Sequence, residues 1–157
     1  MRVRIFEEEK DSKQVLALIS DIIVNEFHFK LELEEDGLDS DLIHIEEHYK
    51  KSGGCFWVAE EESSNIVVGT TGVRKLTQSI CELKRMYVSK AFRRSGIAQK
   101  MLDAAIEFAR AAGYSRMVLD SSKSLTGARS LYLKNSFVDT ERYNDNYRAD
   151  VFMQRQL

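Results

Sequence analysis

Residues 82–102 read ELKRMYVSKAFRRSGIAQKML and change character twice. Glu82–Val88 has the pattern of a strand, Ser89–Phe92 is a short basic connector, and Gly96 to Ala112 has the pattern of a helix closed by Gly113. The helix opens on Arg93-Arg94-Ser95-Gly96-Ile97-Ala98. Small residues at 95, 96 and 98 let backbone N–H groups approach a ligand closely. The basic side chains and the positive end of the helix favour an anion there. The turn suits a pyrophosphate, although a tight connector between two elements would also read this way.

Outward from this stretch, the chain alternates strand and helix patterns. Val3–Phe6 is a short strand. Lys10 to about Phe29 places Val15, Leu16, Ile19, Ile22 and Ile23 close to a helical period. Leu31–Asp36 is an acidic loop, and Ser40–Tyr49 reads as a second helix with Leu42, Ile45 and Tyr49 on one face, ended by Ser52-Gly53-Gly54. Cys55–Glu60 and Ile66–Lys75 form a hairpin around Glu61–Asn65. Downstream, Arg116–Asp120 is a strand and Thr126–Lys134 a helix. Phe137–Arg142 pairs with Ala149–Gln154 around Tyr143–Arg148. Hairpins followed by two crossovers indicate a mixed α/β fold, one domain over residues 1–157, with a central mixed sheet of about seven strands flanked by about four helices. No repeat or linker interrupts it, and the chain has no proline.

The composition, 43% hydrophobic and 31% charged, is that of an ordinary globular domain. No apolar run approaches the roughly 20 residues of a bilayer-spanning helix. The N-terminus MRVRIFEEEK lacks the apolar core of a secretory signal, so a cytoplasmic location is expected. Cys55 and Cys81 are too few for a disulfide framework. The net charge of −2 conceals an asymmetry: residues 1–62 carry 17 Asp/Glu against 7 Lys/Arg, and residues 63–157 carry 8 against 16. Solvated surface charge accounts for most of this. An acidic side facing a cationic substrate and a basic side facing an anionic cofactor is the sharper reading. The basic residues form no continuous arm, so nucleic acid is not expected as a partner.

Two motifs together narrow the function. Arg93, Gly96 and Ala98 hold the places of an Arg/Gln-x-x-Gly-x-Gly/Ala pattern behind a strand that ends in Met86-Tyr87-Val88. About 34 residues beyond Ala98, Ala128, Leu131, Tyr132 and Phe137 hold the places of A-x-x-LY-x-x-x-GF. In these features the chain resembles the GNAT superfamily of N-acetyltransferases, from about Cys55 onward. The resemblance implies acetyl-CoA as co-substrate and direct transfer to a primary amine. It implies that Met86, Tyr87 and Val88 present backbone to pantetheine, that the N–H groups of Arg94, Ser95, Gly96, Ile97 and Ala98 cradle the pyrophosphate, and that Arg93 is cofactor-binding with them.

Such a transfer needs a neutral amine, a fixed donor for the oxyanion and an acid for the departing thiolate. Tyr132, at the family's matching position, is the candidate acid; a core tyrosine is the other reading. The resemblance also makes Glu82 the candidate base, since some family members place a glutamate early on this strand. An edge carboxylate paired with Lys84 or Arg85 is its other reading, and a water-relayed base is a third. The sequence departs from the family pattern at Leu125, where many relatives carry asparagine; Ser121, Ser122 or Ser124 are possible replacements. It departs again at Ser136, where glycine is usual and whose substitution implies a different helix exit, and at Arg94-Ser95 inside the turn.

Other signals are weaker. His44-Ile45-Glu46-Glu47-His48 places two histidines at i, i+4, but with no third ligand at a characteristic spacing no metal is expected. Phe27-His28-Phe29 and Trp57 fit either an acceptor pocket or core, and the resemblance implies that the Tyr143–Tyr147 loop borders the acceptor site. The expected partner is a small-molecule or protein amine; no membrane partner is expected, and a homodimer stays open. A catalytically silent acyl-CoA-binding regulatory module of the same fold is the alternative, and a structural domain without a CoA site is a third.

Overall fold

Side-chain alternation along the strands builds a two-faced sheet. In the computed structural model, which describes residues 1–157, strand β2 (Cys55–Glu61) sends Cys55 and Trp57 into one core and Phe56 and Val58 into another. Its neighbours are β1 (Arg2–Ile5) and β3 (Ile66–Lys75), both antiparallel to it. Beyond β3 lie β4 (Ile80–Val88), β5 (Arg116–Ser121), β7 (Val151–Gln156) and β6 (Val138–Asp139), giving a seven-stranded sheet in the order β1-β2-β3-β4-β5-β7-β6. Only β4 and β5 run parallel. The crossover between them is α3 (Ile97–Ala111), which buries Ile97, Met101, Leu102, Ala105, Ile106 and Ala109, one stripe at a 3.6-residue period. α4 (Thr126–Lys134) joins α3 on that face through Tyr132. On the opposite face α1 (Glu8–Asp21) and the one-turn α2 (Ile45–His48) cover Phe6, Phe56 and Val58.

Several boundaries differ from the sequence expectation, each for a local reason. The first helix starts at Glu8 and, after Asp21, widens into a π turn over Ile22–Glu26. The helix expected over Ser40–Tyr49 is broken into a 3₁₀ turn at Ser40–Leu42 and α2. Its apolar positions are right, since Leu42, Ile45 and Tyr49 are buried, but Asp39 and Asp41 turn inward to Arg85 and interrupt the ladder. The last hairpin is shorter on one side than its composition implies: β6 holds two residues, and 140–150 form a loop tied to the rest by side chains.

The exit of α4 keeps the left-handed geometry that glycine favours, although Ser136 stands there at φ 65°. The expected change of exit does not occur; serine accepts the strain instead. Ser136→Gly is therefore expected to stabilise the fold by about 0.5–1 kcal/mol, read as a higher urea midpoint at an unchanged m-value.

Candidate active site

The parallel pairing of β4 with β5 runs only from Ile80↔Arg116 to Glu82↔Val118. From Leu83 onward the strands part, leaving the β4 edge without a neighbour. A second irregularity falls at the same place. Thr70 pairs with Tyr87 and Gly72 with Lys84, so β4 carries one extra residue, a bulge at Arg85–Met86. Arg85 adopts φ 55° there, and the Thr70 hydroxyl donates to the Arg85 carbonyl at 2.7 Å. A left-handed arginine is strained. It is held by its side chain, which donates to Asp41 and Asp39 at 3.0 Å each and to the Leu38 carbonyl at 2.7 Å.

A cleft of about 560 Å³ opens at this parting. Met86 and Tyr87 line it from β4, Asp120 to Ser122 from β5, Tyr132 from α4, Phe27 to Phe29 from the end of the first helix, and Asn144 to Asn146 from the last loop. Of the residues the sequence singled out, Met86, Tyr87 and Tyr132 therefore share one cavity. His28 lines it at φ 59°, so His28 and Arg85, two of the five non-glycine residues with positive φ, border the cleft. Trp57 does not reach it: its ring packs edge-on against Phe108 at 5.4 Å in the core.

The Arg93–Ala98 turn lies past the end of β4, outside the cleft lining. Gly96 sits at φ 82°, and a Cβ there would meet nothing within 4 Å, so the space above the turn is open. The N–H groups of Arg94 to Ala98 have no backbone acceptor in the chain and stand at the helix N-terminus. Arg93 also makes contacts within the chain. Its Nε donates to the Val88 carbonyl at 2.9 Å and its Nη2 meets Glu26 at 2.7 Å, so its guanidinium staples the turn to β4 and to the π turn.

Tyr132 is buried and stacks at 5.7 Å on Phe137. Burial pushes its phenol well above the ordinary tyrosine range, with the charge of nearby Asp120 adding to it. Its hydroxyl has no hydrogen-bond partner in the chain and faces the cleft.

Glu82 is 1% exposed, and both its oxygens are engaged. Arg74, its cross-strand partner, donates Nε to Oε2 at 2.7 Å, and the Tyr143 hydroxyl donates to Oε1 at 2.8 Å. The ion pair is thus made across the sheet, with neither Lys84 nor Arg85. Glu82 is absent from the cleft lining. Asp120, which the sequence reading passed over as a strand end, does line it. Asn144 and Asn146 donate to Asp120 Oδ2 at 2.6 and 3.2 Å, while Oδ1 accepts nothing from the chain. The only sequence signal for Asp120 was a carboxylate at the C-terminal end of a parallel strand, where α/β sheets place their ligands.

The charge asymmetry folds onto itself. Asp39 and Asp41 are taken by Arg85, Asp39 again and Glu32 by Arg148, and Asp11 and Glu60 by Arg4. Burial alone would raise Asp41, but Arg85 outweighs it and holds the carboxyl well below the usual range. The acidic segment therefore does not present an open anionic face to the cleft. His44 stands outside α2, so the paired-histidine pattern is not on one helix. Burial pushes the Cys81 thiol up to about 12. No helix is long and apolar enough to cross a membrane.

Comparison with known proteins agrees with this geometry. Residues 16–137 match the model of the acetyltransferase (GNAT) family. The chain is 38% identical over 97 residues to an uncharacterized N-acetyltransferase, YjgM, of Escherichia coli, covering 60% of this chain and 57% of that protein. It is 34% identical over 109 residues to human N-acetyltransferase 8, covering 66% of this chain and 47% of that protein. The matches thus span about half the length of these curated relatives. Among solved structures, a GNAT-family acetyltransferase from Staphylococcus aureus Mu50 superposes with a TM-score of 0.89 at 26% identity, over 99% of this chain and 98% of that one. The Salmonella typhimurium putative acetyltransferase yncA, solved with its cofactor acetyl-CoA, superposes at 0.75 and 21% identity, over 99% and 93%. With a bulged strand parting from its parallel neighbour above a glycine-containing helix N-terminus, and a family model matched over most of its length, the chain belongs to the GNAT family of acetyltransferases.

Proposed function

We propose that this chain transfers an acetyl group from acetyl-CoA to a primary amine, on a small molecule or a protein, by direct attack with both substrates bound. The parting of β4 from β5 beside the bulge carries this reading. An extended pantetheine has an open strand edge to follow from Leu83 onward. The free N–H groups of Arg94 to Ala98 suit its pyrophosphate. When bound, acetyl-CoA supplies the thioester carbon that the amine attacks; the C–N bond forms, the C–S bond breaks, and a thiolate departs.

The chain's own groups have three tasks. Arg85 and Met86 have no register partner in β3, and we assign an N–H at this bulge as the fixed donor to the thioester oxygen. Tyr132, whose phenol is protonated through the neutral range, has a proton for the departing thiolate. Two carboxylates are the candidates for taking the proton of the amine. Asp120 faces the cleft with a free oxygen, whereas Glu82 is reached only through Tyr143 or a water. We place Asp120 as the direct acceptor and Glu82 as the group that positions Tyr143 and, through it, the last loop.

The test is thiol release from acetyl-CoA across a panel of amines. Turnover on at least one amine is expected. Tight CoA binding without turnover on any amine would favour a silent acyl-CoA-binding module. Asp120→Asn should lower kcat tenfold or more, while Glu82→Gln should have the smaller effect on kcat. The reverse outcome would return the base to Glu82.

A further inference from the structure

Four Lys or Arg side chains line the cleft: Arg74, Lys84, Arg85 and Arg148. Each arginine has its carboxylate. Arg74 meets Glu82 at 2.7 Å, Arg85 meets Asp39 at 3.0 Å, and Arg148 meets Asp39 at 3.1 Å. Lys84 forms no ion pair and no hydrogen bond with the chain. It is half-buried on β4, one residue before the bulge. Burial pulls its ammonium down from the ordinary lysine value, and the adjoining charges of Arg85 and Arg74 pull in the same direction; Glu82 and Asp41 only partly oppose them. A partly desolvated cation among other cations, without a counter-ion of its own, is an unfavourable arrangement. It becomes favourable when a ligand brings the anion.

Position says which ligand. Lys84 directly precedes the Arg85–Met86 bulge and lines the same cleft as Met86, and its long stem lets the ammonium reach several ångströms into that cleft. An amine poised at the Met86 bulge would have its own near substituents within reach of Nζ. The remote, arginine-filled parts of the cleft are already neutralised by Asp39 and Glu32.

We propose that Lys84 recognises an anionic group carried by the acceptor next to its reactive amine, so that the acceptor is amino-acid-like: a primary amine with a carboxylate, or a phosphonate in its place, one carbon away. This rests on the acetyl-transfer reading and specifies its second substrate. Charge-assisted contacts of this kind add both affinity and orientation. The neutral counterpart of such an acceptor would leave Lys84 buried and unmatched, and a cationic polyamine would meet it as a like charge.

The experiment compares leucine, its aminophosphonate analogue, leucinamide and 3-methylbutylamine as acceptors, using thiol release by wild type, Lys84→Met and Lys84→Arg. Circular dichroism checks that each variant is folded. Wild type is expected to prefer leucine or the phosphonate, and the two anionic arms show which anion the site takes. In Lys84→Met the ratio of kcat/KM for the anionic acceptor over 3-methylbutylamine should fall about 10–100-fold, with part of it restored in Lys84→Arg. A wild type that prefers 3-methylbutylamine, or a ratio unmoved by Lys84→Met, overturns the proposal while leaving acetyl transfer intact. Absence of thiol release with every amine instead counts against the transferase reading. The anion site is then decided by calorimetric titration of N-acetyl-leucine into the CoA-bound protein: weaker binding to Lys84→Met supports it, and equal binding rejects it.

Discussion

Tyr132→Phe is expected to lower kcat about 10²-fold, with little change in the KM for acetyl-CoA. The substitution removes one oxygen and nothing else of consequence. The ring keeps its place against Phe137 at 5.7 Å, inside a core that also holds Leu119, Val151 and Met153. The hydroxyl has no partner in the chain, so its loss leaves no buried donor or acceptor unsatisfied and should change stability only slightly. What disappears is the cleft-facing proton, whose pKa burial has pushed up. The check is steady-state kinetics alongside a CoA titration. A phenylalanine variant with undiminished kcat would make Tyr132 a core residue that merely borders the cavity.

Arg85→Met should destabilise the fold by about 3–5 kcal/mol, the range for breaking a buried ion pair by removing one partner. The guanidinium is 5% exposed and stands between Asp39 and Asp41, whose side chains are 0% and 6% exposed. Without it, Asp41 keeps only the Tyr49 hydroxyl among its side-chain partners, and Asp39 keeps Arg148. The same side chain holds the strained bulge, so acetyl transfer should suffer along with stability. The pH dependence follows from the direction of the carboxylate shifts. For both aspartates burial raises the pKa but is outweighed, by Arg85 at Asp41 and by Arg148, the Glu32 N–H and Arg85 at Asp39, so their folded values lie below the unfolded one. Their contribution is therefore fully present above the unfolded value of about 4 and is lost as pH falls through the lower folded values. Urea melts from pH 7 down to pH 2 should show wild type losing stability below about pH 4. Arg85→Met should start lower and lose less over that interval. Parallel curves for the two proteins would show that the triad does not supply the acid sensitivity.

The unequal legibility of the site has a physical origin. The strand over Glu82–Val88, the glycine-containing helix start and the Tyr132 helix were readable because each is written in contiguous residues whose periodicity and small side chains act locally. Even the misread helix at 40–49 had its apolar face right, since Leu42, Ile45 and Tyr49 are buried whether or not the backbone coils regularly. The bulge at Arg85 was not readable. Arginine has no preference for φ 55°, and its anchors lie 44 and 46 residues away. The Arg93 contact was unreadable for the same reason: nothing near it in sequence announces Glu26, 67 residues away.

From its sequence alone this protein was determined to be a mixed α/β chain with a turn for an anion, spaced from a tyrosine-bearing helix as in the GNAT family. Local backbone preference and the alternation of apolar side chains suffice for that. Which carboxylate lines the cleft, and which cation is left without a partner, was decided only by tertiary structure. Glu82 and Asp120 are both acids at a strand, yet one is closed off by Arg74 and Tyr143 while the other keeps a free oxygen in the cleft. Lys84 differs from its arginine neighbours in the same way, through pairings between distant segments that leave it alone uncompensated. Ionisation, reach and partnership at a site depend on what lies within a few ångströms, and that neighbourhood exists only after the chain has folded.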